Sequence, residues 1–135
     1  MTLPKTVLPV LVALLMCSPL LHAQSGDNDV FVPISKYLAK GDVDALSAWY
    51  ARNLEITVLG QGGNFSRKQA TQILKTFFDT YTPRSFLINH TTSRANMKYA
   101  LGVLNAGGEH FMVTIFVSFK GESYQIQQMK IERVQ

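Results

Sequence analysis

The chain has 135 residues, the length of one domain, with 47% hydrophobic and 16% charged residues, a balance that excludes a disordered tail or a low-complexity chain. Its single cysteine excludes a disulfide framework and a Cys-based zinc site. A net charge of +4 with dispersed basic residues lacks the dense clusters that grip phosphate backbones, so no nucleic acid is expected as partner.

Residues 1–23 read as a secretory signal peptide. Lys5 is the only charge before Asp27, an apolar run follows from Val7 to Met16, and small Ala23 is placed for cleavage before Gln24. The run is too short to span a bilayer, which takes about 20 apolar residues. Leu14-Leu15-Met16-Cys17 offers an alternative, a lipoprotein signal acylated at Cys17, although Met16 fits poorly before the cysteine. Membrane attachment is expected only in that case. Cleavage after Ala23 leaves a cysteine-free chain, suited to a periplasmic or secreted location. Residues 24–29 read as a flexible polar tether, and 30–135 as a single folded domain.

The domain begins with helices. Pro33 suits the first turn of a helix, and Ile34, Tyr37 and Leu38 share one apolar face. Gly41 stops that helix and Asp42 caps the next, whose apolar side is Val43, Leu46, Trp49 and Tyr50. Leu54 to Val58 alternates as a strand, and Gly60, Gly62 and Gly63 form a hairpin turn. Ser66 and Gln69 have capping-box spacing at the start of the best helix. Ala70, Ile73, Leu74, Phe77, Phe78 and Tyr81 form its buried stripe, and Thr82-Pro83 ends it. Arg67, Lys68, Gln72, Lys75 and Asp79 make a solvated face.

From Ser85 the period changes to two. Strands are expected over 86–92, 97–104, 110–119 and 124–134, joined by short turns that force antiparallel neighbours. In the third, Phe111, Val113, Ile115, Val117 and Phe119 share an apolar face, opposite His110, Met112, Thr114, Phe116 and Ser118. The fourth changes parity between Ile126 and Met129, which calls for a bulge at Gln127 or Gln128. Helices followed by a run of strands make an α+β fold. Its N-terminal helices and one long helix pack in a strongly curved antiparallel sheet, a cone-like half barrel.

Gly41-Asp42, Phe65-Ser66 with Ala70, Leu74 and Phe77-Phe78, Phe86 with His90, Tyr99-Ala100-Leu101-Gly102 and Ile131-Glu132 together carry a resemblance over about 30–134. The chain resembles the nuclear transport factor 2-like (cystatin-like) cone fold, and within it a family of small secreted bacterial domains of unknown function. The resemblance implies the fold but no catalytic residue, because that family has no established activity. Enzymes of the superfamily place carboxylates inside the cone, where burial raises their pKa for acid–base work. This chain departs from that pattern: between Tyr81 and Gly121 its only acid is Glu109, beside a glycine turn.

His90 is the most informative single residue. It stands in parity with Phe86 and Ile88, with Tyr99 on the neighbouring strand, so that the two can bind a polar ligand group or share a proton at the cone mouth. Trp49 with Tyr50 and Tyr37 is a candidate aromatic box, better explained as core. His90, Tyr99, Phe86 and Trp49 are therefore the candidate ligand-binding residues. No metal or cofactor is expected, since the histidines lack an acid cluster and there is no phosphate-binding or dinucleotide motif. The expected role is an exported, non-catalytic domain that binds a small apolar ligand or an envelope protein. The alternatives are a small hydrolase or isomerase using His90 and Tyr99, and a module dimerising through a mixed sheet face that includes Met112, Phe116 and Tyr124.

Overall fold

The computed structural model describes residues 30–134, and residues 31–134 belong to one compact unit. The segments expected to be a signal peptide and a tether, with Cys17, fall outside the described residues. Two short helices come first, α1 (Phe31–Lys40) and α2 (Val43–Ser47). A hairpin follows, β1 (Tyr50–Val58) and β2 (Gln61–Ser66), then the long helix α3 (Arg67–Thr80). Four strands complete the chain: β3 (Pro83–Arg94), β4 (Met97–Ala106), β5 (Glu109–Lys120) and β6 (Ser123–Arg133).

Local chemistry explains the helix boundaries. Gly41 ends α1 at φ +71°, and an added Cβ there would lie 2.7 Å from Pro83 Cγ. A side chain would thus be strained by the backbone and blocked by its neighbour. Asp42 caps α2, its carboxylate accepting from the Ala45 N–H at 3.2 Å. At α3 the capping box is complete: Ser66 Oγ accepts from the Gln69 N–H at 3.2 Å, and Gln69 Oε1 accepts from the Ser66 N–H at 3.1 Å. Such a cap contributes about 1 kcal/mol to the helix. Ala70, Leu74, Phe77 and Phe78 are buried along the predicted stripe, while Ile73 and Tyr81 are half-buried at its margin.

The strands form one curved, unclosed sheet in the order β2-β1-β6-β5-β4-β3. The last four strands pair antiparallel in sequence, as their short turns require. The expectation of a wholly antiparallel sheet fails at one place, where β1 runs parallel to β6. The chain between them includes α3 and four strands, so no tight turn dictates their direction. The inner face carries Leu104, Phe111, Val113, Ile115, Met129 and Ile131, each fully buried. On β5 the expected alternation is present, with Met112, Thr114, Phe116 and Ser118 half-buried on the outer face. Phe119 departs from it at 42% exposure, near the strand end.

Bulges bend this sheet and reset its parity. On β6, Phe116 pairs with Gln128 and Val117 with Ile126, so Gln127 is the extra residue, as the parity change anticipated. On β3, Ile88 pairs with Gly102 but His90 pairs with Leu101, which makes Asn89 a second, unanticipated extra residue. The second helix also ends earlier than its spacing suggested. Trp49 follows α2, and Tyr50 opens β1 opposite Ile126 instead of continuing the helix. Pairing explains the change, since the Trp49 carbonyl accepts from the Ile126 N–H at 2.6 Å. The glycine turn is likewise shorter than expected. Leu59 and Gly60 make it, and Gly62 and Gly63 belong to β2.

Candidate functional site

The four residues singled out in the sequence do not converge. Phe86 lies buried on the inner face, where its ring covers Gly102; a Cβ added to that glycine would be 2.6 Å from Phe86 Cζ. His90 does not share that parity, because the Asn89 bulge turns it to the outer face opposite Leu101. There it meets Tyr99 as expected, with ring centroids 6.4 Å apart. Its Nε2 lies 3.0 Å from Thr92 Oγ1, and the residue is exposed. Tyr99 in turn rests on Phe116 at 5.0 Å. A shallow depression of about 300 Å³ adjoins this pair, lined by Thr92, Arg94, Met97, Lys98, Tyr99 and Phe116. Trp49 is half-buried ahead of β1, on a part of the sheet separated from β4 by β6 and β5.

The outer face also sorts the residues once grouped as a dimer surface. Met112 and Phe116 belong to it. Tyr124 does not: it pairs with Phe119, in the parity of Val117 and Ile126, and meets that ring edge-on at 5.1 Å.

The larger space lies on the inner side, between α3 and the hairpin. This groove has a volume of about 820 Å³. Val58, Leu59, Gln61, Gly62 and Phe65 line it from the hairpin. Gln69, Gln72, Ile73, Thr76, Phe77 and Thr80 line it from α3, with Tyr81 at the helix end. Gly62 is needed for the close approach of the two strands, since a Cβ there would collide with the Ile56 carbonyl and Thr57. The groove was not anticipated, but a signal for it exists in the chain. Gln69, Gln72, Thr76 and Thr80 recur at three- and four-residue spacing, a neutral polar stripe between the buried stripe and the charged Lys68, Lys75 and Asp79.

Among the described lining residues there is no Asp, Glu, His, Lys, Arg or Cys. Tyr81 supplies the one phenol. Its oxygen accepts from Arg133 Nη2 at 2.7 Å, and Arg133 Nε donates to Glu109 at 3.0 Å. Elsewhere in the fold, Tyr50 is 1% exposed with no partner for its hydroxyl. Burial disfavours its anion and raises the phenol well above its ordinary value. Among the described residues no group of three His, Cys, Asp or Glu side chains is placed to hold a metal ion. No described helix is long and apolar enough to cross a membrane.

Comparison with solved structures places this architecture. A DUF4783 family protein from Bacteroides ovatus is 21% identical with a TM-score of 0.74, over 77% of this chain and 94% of the other. A protein with a cystatin-like fold from Nostoc punctiforme is 13% identical with a TM-score of 0.65, over 83% and 77% of the two chains. An NTF2-like protein of unknown function from Cytophaga hutchinsonii is 8% identical with a TM-score of 0.59, over 78% and 88%. No curated protein matches the chain. The family profile described as "Domain of unknown function (DUF4783)" matches residues 31–132. With that span matched and the cone-like sheet in place, the chain belongs to the DUF4783 family and has the NTF2-like, cystatin-like fold.

Proposed function

We propose that this protein is an exported, non-catalytic binding domain that takes an uncharged, largely apolar small molecule between α3 and the β1–β2 hairpin. The observation that carries the reading is the groove itself. Its volume of about 820 Å³ lies within the roughly 300–1,000 Å³ of ligand sites. Its wall joins aliphatic and aromatic side chains to neutral amides and hydroxyls. Apolar groups supply the driving force for binding, and a few fixed polar groups orient the guest. A wall without charge favours a neutral guest, because a buried unpaired ion would be costly. Acid–base catalysis needs a group that titrates near the working pH, and the wall offers only the phenol of Tyr81. Lys5, the apolar run to Met16 and Ala23 support export, with cleavage before Gln24.

The test uses Prodan, a neutral fluorescent naphthyl ketone. The protein should bind it saturably with a blue-shifted emission, and Ile73→Arg should abolish binding while leaving the melting temperature nearly unchanged. Ile73 is half-buried at the groove wall, so a long cation there can reach water without breaking the core. Absence of saturable binding, or equal binding by the variant, overturns the groove as the site. N-terminal sequencing of the exported protein should begin at Gln24; a retained Met1 overturns export.

A further inference from the structure

We propose that Tyr81 is the hydrogen-bond donor of the groove, positioned by Arg133, and that the guest carries an uncharged oxygen acceptor, such as a ketone or amide carbonyl. This rests on the groove being the ligand site.

Tyr81 is the C-cap of α3, where its backbone turns extended at φ −120° and ψ 96°. The ring leaves the helix and is held on several sides. Its centroid is 5.0 Å from Phe77 and 5.0 Å from Phe111. Gly107 closes on it from the β4–β5 turn: a Cβ there would lie 3.0 Å from the Tyr81 Cα and 3.0 Å from its ring. The guanidinium of Arg133 stands 5.7 Å from the Tyr81 and Phe111 ring centres and donates to the phenolic oxygen. An aromatic ring fixed in this way is a rigid wall element, not a mobile surface side chain.

The bonding leaves one capacity unused. A phenol has one proton to give as well as lone pairs to accept with. Arg133 occupies the accepting side at 2.7 Å, and no described residue accepts the Tyr81 proton. A donor cannot face the guanidinium, so the proton turns away from Arg133, and Tyr81 lines the groove. Donation from a cation polarises the O–H bond and makes it a stronger donor. Glu109 on the same guanidinium cancels its charge and repels a second carboxylate. The acceptor that fits is therefore neutral. Arg133 lies outside the wall and acts through Tyr81, as a positioning residue.

Prodan reports both binding and hydrogen bonding, since its ketone emission moves to the red when a donor reaches the oxygen. Tyr81→Phe keeps the ring stack and removes only the hydroxyl. It should weaken binding roughly two- to tenfold, the worth of one hydrogen bond, and shift the bound emission to the blue. Arg133→Met should shift the emission the same way, and Arg133→Lys, which keeps a cationic donor, should restore the wild-type emission. Bound emission unchanged in Tyr81→Phe, with Ile73→Arg still abolishing binding, overturns the donor role and leaves the groove intact. No saturable binding by the wild-type protein overturns both.

Discussion

Beneath β5 and β6 the inner face of the sheet is sealed, whereas beneath the β1–β2 hairpin it stays open. The difference lies in what fills the layer above each region. Over the sealed part, Phe77 of α3 meets the wall of β5, edge-on to Phe111 at 5.1 Å. Phe111, Val113, Ile115, Met129 and Ile131 show no exposure there. At the hairpin, α3 presents Gln72, Thr76 and Thr80, which are shorter or more polar and remain largely exposed, and β2 contributes two glycines. One helix thus serves as a core plug along one stripe and as a groove wall along the next. Interior packing leaves few voids larger than a water molecule, so an open space of this size in an otherwise close-packed fold is a feature of its residues and not of loose packing.

The comparison breaks most easily at two adjacent residues of α3. Leu74 is fully buried and Ile73, one position earlier, is half-buried on the groove. Leu74→Ala should cost about 2–5 kcal/mol in chemical denaturation, the usual penalty of a lost aliphatic side chain plus the cavity left behind. Ile73→Ala should cost under about 1 kcal/mol, because water already reaches that side chain. Equal costs would mean that the groove is closed in solution.

Tyr50 sharpens the comparison on the sealed side. Its hydroxyl is buried without a partner, so Tyr50→Phe should leave stability at neutral pH unchanged or slightly raised. The larger effect appears in alkali. In the unfolded chain the phenol ionises near pH 10, while burial keeps it neutral in the fold at higher pH. A folded pKa above the unfolded one means that the unfolded chain loses its proton first. Stability therefore falls as pH rises past about 10, by at most about 1.4 kcal/mol per unit for this group. Denaturation of wild type and Tyr50→Phe from pH 8 to 11 should show the variant losing less. Parallel curves would place the Tyr50 hydroxyl in water.

Helix α3 and strand β5 were legible in the chain because each depends on contacts within its own period. The Ser66–Gln69 cap, the 70–74–77–78 stripe and the alternation of 111–117 are local patterns that the sheet only completes. The Gln127 bulge was legible for the same reason, since apolar parity visibly changes between Ile126 and Met129. Three features were not. Trp49 and Tyr50 fall at helical spacing from Leu46, and only the distant β6 diverts them into a strand. The parallel β1–β6 pair joins the two ends of the domain, which no local pattern encodes. The Asn89 bulge leaves no trace because the strand beyond it, His90 to Arg94, is polar throughout, so a slip of one position there changes no hydrophobic register. The groove was hidden in turn by the polarity of its helix stripe, which has the composition of an ordinary solvated face.

His90 provides the smallest expected effect and the cleanest contrast between the two sides of the sheet. With Phe86 parity it would have stood inside the cone; after the bulge it is exposed, bonded to Thr92 and near Tyr99, across the sheet from the groove. Substitutions at exposed positions outside caps and buried networks usually change stability by under about 0.5 kcal/mol. His90→Ala should therefore leave both the melting temperature and the affinity for Prodan within error, whereas Ile73→Arg removes binding. A marked loss of affinity in His90→Ala would move the site to the outer face, onto the depression between Thr92, Tyr99 and Phe116, and would restore the histidine–tyrosine pair as its chemistry. Since the inner groove and the outer pair share no lining residue, one titration of these two variants assigns the function to one side or the other.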